Sequence, residues 1–214
     1  MPLIDPVRIK ALLGPLAGRF DVDALAEVDS SNSELSRRAD AGAPGGSVLV
    51  ADTQTAGRGR RGRTWLSAPE DSLTFSVLWR FSMPAGRMSG LSLAVGLALA
   101  RALGRLGAKG VSLKWPNDVL LAANGDYAKL AGILIELSSD RRGSTAIIGI
   151  GLNLQPPAVA LPQPVAGLAQ AMLVTPERHL LLAAILEELF AVFEIFSAGG
   201  FAALRMEWQT LHAW

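Results

Sequence analysis

Residues 111–154, VSLKWPNDVLLAANGDYAKLAGILIELSSDRRGSTAIIGIGLNL, decide the fold. VSLKW reads as a short strand, and Pro116 ends it because proline cannot donate to a sheet ladder. VLLAANGDYAKLAGILIEL reads as a hairpin about Asn124-Gly125, a strong turn pair. TAIIGIGLNL is a buried strand. Strands dominate this middle region and few helices separate them. That predicts an α+β fold with a central mixed or antiparallel sheet and helices mainly on one face, not a doubly wound parallel sheet.

Working outward, SVLVAD (47–52) and SLTFSVLWR (72–80) read as further strands, and LAEVDS (25–30) as a short one ending at polar residues. SNSELSRRADAG forms a helix stopped by Gly42. Residues 88–107 form an amphipathic helix. Asp5-Pro6 supplies a cap and a first-turn proline for a helix to about Leu16. Four prolines between Gln155 and Val165 make that segment a loop. Thr175-Pro176 caps a long apolar helix, and a last helix runs from about Gly200 to His212. The expected organisation is one domain over 1–214, with 1–23 as a helical extension.

Half of the 214 residues are apolar, enough for a sizeable core. There is no cysteine, so disulfides and thiolate metal sites are excluded. His179 and His212 are too far apart in sequence to indicate zinc, and read as packing or surface residues. The N-terminus is broken by Asp5, Pro6, Arg8 and Lys10 and is not a signal peptide. Arg101 and Arg105 interrupt the most membrane-like segment, Met88 to Gly107. A soluble cytoplasmic protein with no membrane partner is expected.

Charge is concentrated in one place. Gly57 to Arg63, GRGRRGR, holds four arginines and three glycines, whereas the whole chain carries a formal charge of only +1. The segment matches G-x-G-x-x-G, but RTWLSAPED follows it with no helical period, so the dinucleotide fingerprint fails. Arginine presents a planar fork to phosphate or carboxylate, and glycine permits close approach. Four unpaired guanidiniums repel one another, so the loop is expected to be mobile until a polyanionic ligand orders it. A solvated basic turn is the plain alternative. A nucleic-acid-binding tract is disfavoured because so little of the rest is basic.

Other residues carry both a plain and a functional reading. Ser30, Ser31 and Asn32 lie where a strand meets a helix, and at least one is expected to cap that helix. Asn117-Asp118 could be a simple turn after Pro116. Lys129 could be an edge-protecting charge, and Gly132 permits close approach to its strand. Gly149 and Gly151 could serve tight packing, and Trp65 could be core.

Taken together, VDSSN (28–32), QTAGRGRRGRTW (54–65), KWPND (114–118), KLAGILIE (129–136) and IGIGLN (148–153) resemble, in order, the motifs of biotin protein ligases. The similarity covers roughly residues 25–212. It implies adenylation of biotin by ATP, with Mg²⁺, and then transfer of biotin to a lysine of a biotin carboxyl carrier protein. It implies a class II synthetase-like catalytic fold. It also implies roles. Ser30, Ser31, Asn32, Gln54, Arg58, Arg60, Lys129 and Gly132 would bind biotin. Arg58, Arg60, Arg61, Arg63, Trp65, Asn117 and Asn153 would hold ATP or the adenylate. Lys129, Arg60, Lys114 and Asp118 would be catalytic, with Lys114 on phosphate and Asp118 assisting the attacking lysine. Asn117 and Asp118 are the candidate Mg²⁺ neighbours. Gly149 and Gly151 would line the pocket, and loop 155–166 falls where the family has a second adenylate-ordered loop.

Family members usually have threonine at the position of Ser31, which keeps the hydroxyl and loses a methyl. No helix-turn-helix precedes residue 25, so a DNA-binding role is not expected, and the family's C-terminal SH3-like domain is not expected either. A homodimer is compatible with the resemblance. The alternatives are a biotin or biotinyl-AMP binder without turnover, and a lipoate ligase-like acyltransferase.

Overall fold

The computed structural model describes residues 2–123, 126–141, 143–156 and 161–214. Seven strands form a mixed sheet: β1 (Asp21–Val28), β2 (Ser47–Gln54), β3 (Ser72–Phe81), β4 (Val111–Lys114), β5 (Asp118–Ala123), β6 (Asp126–Asp140) and β7 (Gly143–Asn153). Their spatial order is β1-β2-β3-β7-β6-β5-β4. β1 and β2 pair in parallel, and the other pairings are antiparallel. Strands β4 to β7 each pair with their chain neighbour, as expected where no helix intervenes. Ala123 pairs with Asp126, while the turn pair Asn124-Gly125 lies outside the described residues.

The helices are α1 (Pro6–Leu13), α2 (Ser31–Asp40), α3 (Leu91–Arg105), α4 (Arg178–Gly199) and α5 (Arg205–Leu211). Strand side chains alternate between faces, and the two faces are covered unequally. Phe75 and Val77 of β3, Ala131 and Ile133 of β6, and Ile148 and Ile150 of β7 join the main core with Leu97 and Leu103 of α3 and Leu189, Phe193 and Phe196 of α4. Phe81 meets Phe193 and Phe196 edge-on, with ring centroids 5.6 and 5.9 Å apart. Burying each such side chain contributes roughly 1.5–3 kcal/mol. On the opposite face α2 packs, and its Leu35 joins Leu49, Leu78 and Ile147 in a small cluster. Helices therefore lie mainly on one face. Among the described residues no helix is long and apolar enough to cross a membrane.

Several element ends differ from expectation. The first helix stops at Leu13 because Gly14 has φ 52° and a 3-10 segment follows to Arg19. Asp5 does cap it, accepting a hydrogen bond from Val7 N at 2.9 Å. Ile4, Ile9 and Leu13 are buried in the main core, so this segment is part of the packing and not an appendage. β1 begins at Asp21, and α4 begins after Glu177 without a side-chain cap, not at Thr175. The proline-rich segment is not loop throughout. Lys129 N donates to Pro164 O and Ala166 N to Lys129 O, both at 2.9 Å, so residues 164–166 lie alongside β6. The β5–β6 register slips between Val119 and Leu120, beside Lys129.

Candidate functional site

The thinly covered face of the sheet holds a cavity of about 520 Å³. Its floor is formed by the residues of β3, β6 and β7 that alternate away from the core, including Thr74, Gly132, Gly149 and Gly151. Every candidate site residue from the sequence lines it. Ser30, Ser31, Asn32 and Gln54 stand at one end, Arg58, Arg60, Arg61, Arg63 and Trp65 above, and Lys114, Asn117, Asp118, Lys129, Gly132 and Asn153 complete the wall.

The first end is a buried, neutral nook. β1 delivers the chain to Asp29, which accepts Ser30 N at 2.7 Å and both Arg37 Nη1 and Nη2, at 3.0 and 2.9 Å. The Arg37 guanidinium, and then the Ser30 N–H, hold the Asp29 carboxyl down at about 2. Ser30 occupies the N-cap of α2 but makes no side-chain cap bond, contrary to expectation. Gln54, at the end of β2, supplies the acceptor instead. Its Oε1 accepts Ser31 N at 2.7 Å and lies 3.0 Å from Ser31 Oγ. Asn32 Nδ2 donates to Glu136 Oε2 at 2.9 Å and to Leu134 O at 3.3 Å. A Cβ added at Gly149 would sit 2.3 Å from Asn32 Oδ1, so glycine there lets α2 approach the sheet.

The arginine loop corrects the picture of four unpaired guanidiniums. Arg58 Nη2 donates to Glu136 Oε2 at 2.7 Å, and Arg60 Nη1 to Asn117 Oδ1 at 3.0 Å. Partnering offsets the mutual repulsion. The backbone is also tied: Trp65 N donates to Gly57 O at 2.9 Å, and Gly59 N to Arg63 O at 2.7 Å. Arg61 sits at the tip with φ 57°, and the Arg61 and Arg63 side chains make no hydrogen bond or ion pair among the described residues. Trp65 lies on the glycine floor. A Cβ at Gly151 would come within 2.2 Å of its ring, and one at Gly132 within 3.1 Å.

Lys129 is not on an edge, since it pairs with Leu120 of β5 and bridges to Val165, where residues 164–166 bond its backbone. Its Nζ stands 2.8 Å from Asp118 Oδ1 and 5.8 Å from the Trp65 ring centroid. The side chains of the pair are only 16% and 21% exposed, so their attraction is weakly screened. Asp118 Oδ1 makes no aligned hydrogen bond; at 2.8 Å, an ammonium nonetheless meets its charge. Asn117 is fixed by donating from Nδ2 to Ile133 O at 3.0 Å. Lys114 is exposed at the rim, 5.2 Å from the Trp214 ring. Asn153 Nδ2 reaches Lys129 O at 3.4 Å.

The Mg²⁺ expectation finds little support in these partners. Asn117 Oδ1 already faces Arg60, and Asp118 Oδ1 faces Lys129. Among the described residues no group of three histidine or carboxylate side chains could hold a metal. Among the described residues Thr74 Oγ1 and Trp65 Nε1 are buried without a partner, and both residues line the cavity. Such groups are costly unless a ligand meets them.

Sequence reasoning missed Thr74, Ser76 and Glu136. Ser76 lies fully buried between Ser31 Oγ, at 2.7 Å, and Asn32 Oδ1, at 2.6 Å. The available signal was strand alternation: in SLTFSVLWR, Thr74 and Ser76 fall on the face opposite Phe75 and Val77.

With this geometry in hand, comparison with known proteins is specific. Residues 25–153 match the biotin/lipoate A/B protein ligase family. The chain is 36% identical over 217 residues to the bifunctional ligase/repressor BirA of Escherichia coli, covering 98% of this chain and 65% of that protein. It is 36% identical over 185 residues to the biotin--[acetyl-CoA-carboxylase] ligase of Mycobacterium tuberculosis, covering 84% and 66%. The chain thus spans about two thirds of the length of these curated relatives. Among solved structures, biotin protein ligase from Aquifex aeolicus in complex with biotin and ATP superposes with a TM-score of 0.72 at 30% identity, covering 90% of this chain and 78% of that one.

Proposed function

The chain belongs to the biotin/lipoate A/B protein ligase family, and from that premise we propose that it is a biotin protein ligase. Biotin carboxylate attacks the α-phosphate of ATP, pyrophosphate leaves, and biotinyl-5′-AMP forms. The ε-amine of a lysine on a biotin carboxyl carrier protein, such as that of acetyl-CoA carboxylase, then attacks the mixed anhydride and AMP leaves.

One observation carries this reading: a single cavity joins a neutral, buried donor–acceptor nook to a cationic wall. An uncharged ureido ring suits Ser30, Ser31, Asn32 and Gln54, which offer both donors and acceptors. The carboxylate and α-phosphate suit Lys129, Arg58 and Arg60, which meet charge that develops during transfer. Arg61, Arg63 and Lys114, at the rim, suit the remaining phosphates, and Asn153 the adenine. Mg²⁺ would arrive on the ATP phosphates, since Mg²⁺ is commonly held by substrate phosphates and few protein ligands.

The pairing of Lys129 with Asp118 gives the two steps an order. When Lys129 turns to the ligand's anionic oxygens, Asp118 is released from its cation. It is then free to take a proton from the incoming lysine ammonium. Asn117 holds Arg60 in place, while Trp65 and the arginine loop exclude water from the anhydride.

The test is biotin-dependent exchange of pyrophosphate into ATP, followed by transfer of labelled biotin to a carrier domain. Exchange that needs biotin and is not supported by lipoate is expected. Equal exchange with lipoate, or none with biotin, would overturn the assignment.

A further inference from the structure

Ser76 does not line the cavity, yet its hydrogen bonds determine what the cavity offers. Glu136 Oε2 and Leu134 O can only accept, so the Asn32 atom facing them is the amide nitrogen and the other is Oδ1. Asn32 Oδ1 can only accept, so the Ser76 hydroxyl, 2.6 Å away, must donate to it. Ser76 has one hydrogen, and that bond uses it. Ser76 Oγ therefore turns a lone pair toward Ser31 Oγ, 2.7 Å away. Gln54 Oε1, already fixed as oxygen by accepting Ser31 N, turns another toward Ser31 from 3.0 Å. Gln54 lines the cavity, and its Oε1 already takes Ser31 N and stands farther off, so the one Ser31 hydrogen goes to Ser76 Oγ. Ser76 is 0% exposed, so no water can relieve the contact.

We propose that Ser76 is a positioning residue for ligand specificity: it holds the Ser31 hydrogen inward, so that Ser31 presents only lone pairs to the cavity and accepts a ligand N–H. The line of bonds runs one way, from the ligand to Ser31, Ser76, Asn32 and the Glu136 carboxylate. Glu136 also takes Arg58, so the line ends on the arginine loop. A ligand ring with an N–H at this point is favoured, and one with an oxygen there meets lone pair against lone pair. This rests on the biotin reading, because the ureido group is the N–H donor invoked.

The experiment measures dissociation constants for biotin and for its two cyclic-carbamate analogues, each with oxygen replacing one ureido N–H. It uses the full chain, as wild type and Ser76→Ala. Wild type should prefer biotin over the analogue lacking the N–H that meets Ser31. Ser76→Ala should weaken biotin about tenfold, the scale of one hydrogen bond, and leave that analogue within about twofold of its wild-type value. Preference thereby shrinks. If Ser76→Ala binds biotin like wild type, or weakens biotin and both carbamates by one common factor, Ser76 only packs and the proposal is overturned. If Ser76→Ala does not fold, Ser76→Cys, close in size and a weak donor, is held to the same outcomes. Failure of wild type to bind biotin would instead sink the functional reading.

Discussion

The two faces of the sheet are made by alternate residues of the same strands, yet they do opposite work. On one face Phe75, Val77, Ile148 and Ile150 are closed under α3 and α4. On the other, Thr74, Gly149 and Gly151 are left with α2 and a loop above them, and a cavity results. The difference lies in side-chain size and polarity at every second position. Large apolar groups recruit helices, whereas glycines and hydroxyls leave room and unmet hydrogen bonds. A similar division runs within the cavity. The nook at Ser30–Asn32 is buried and internally bonded, while the arginine loop is exposed and held by a few polar contacts.

The largest effect should come from the cationic wall. Lys129→Ala is expected to slow adenylation by roughly 10²–10³, the scale for removing one electrostatic stabiliser. Wild-type rates in pyrophosphate exchange would break the distinction between wall and nook. Asp118→Asn should slow transfer by about 10² while sparing adenylation, as for loss of a general base; equal losses in both steps would remove that role. On the floor, Gly149→Ala should weaken biotin binding by about tenfold or more, since overpacking costs roughly 1–3 kcal/mol, and the added Cβ meets Asn32 Oδ1 at 2.3 Å. Unchanged biotin titrations would show that α2 can retreat at no cost.

Arg60→Ala should release biotinyl-AMP about tenfold faster, from loss of one charge-assisted contact, which a chase with unlabelled biotin would measure. The smallest effect concerns Asp29. Its carboxyl is lowered from 3.8 to about 2, so its contribution is full above the unfolded value and disappears as pH falls through about 2. Arg37→Ala should therefore lower Tm slightly at neutral pH, a partly exposed pair being worth little. The gap should close in acid. A gap that widened below pH 3 would contradict the assignment.

Much of this was legible in residue patterns. The hairpin-rich stretch 111–154 shows the antiparallel meander because strands without intervening helices pair with their neighbours. The motif residues line one cavity because they sit at strand ends, in turns and at the strand positions that face away from the core, all on one side of the sheet. What stayed hidden was partnership across the chain. Arg58 meets Glu136 78 residues away, and although the motif KLAGILIE ends on Glu136, nothing in it pairs that carboxylate with the arginine loop. Lys129 meets Asp118 across a register slip that no periodicity predicts. Ser76 looked like an ordinary strand serine, since its role depends on α2 crossing above it.

The central claim is that one cavity has a neutral compartment for a ring and a cationic one for an acyl-phosphate. Calorimetric titration of biotin and of biotinol-AMP, a stable mimic of the adenylate, at low and high salt tests it most directly. Biotinol-AMP should bind more tightly by about 10² or more, on the order expected for several charge-assisted bonds, and salt should erode this advantage while leaving biotin itself nearly unaffected. Equal affinities, or equal salt sensitivity, would contradict it.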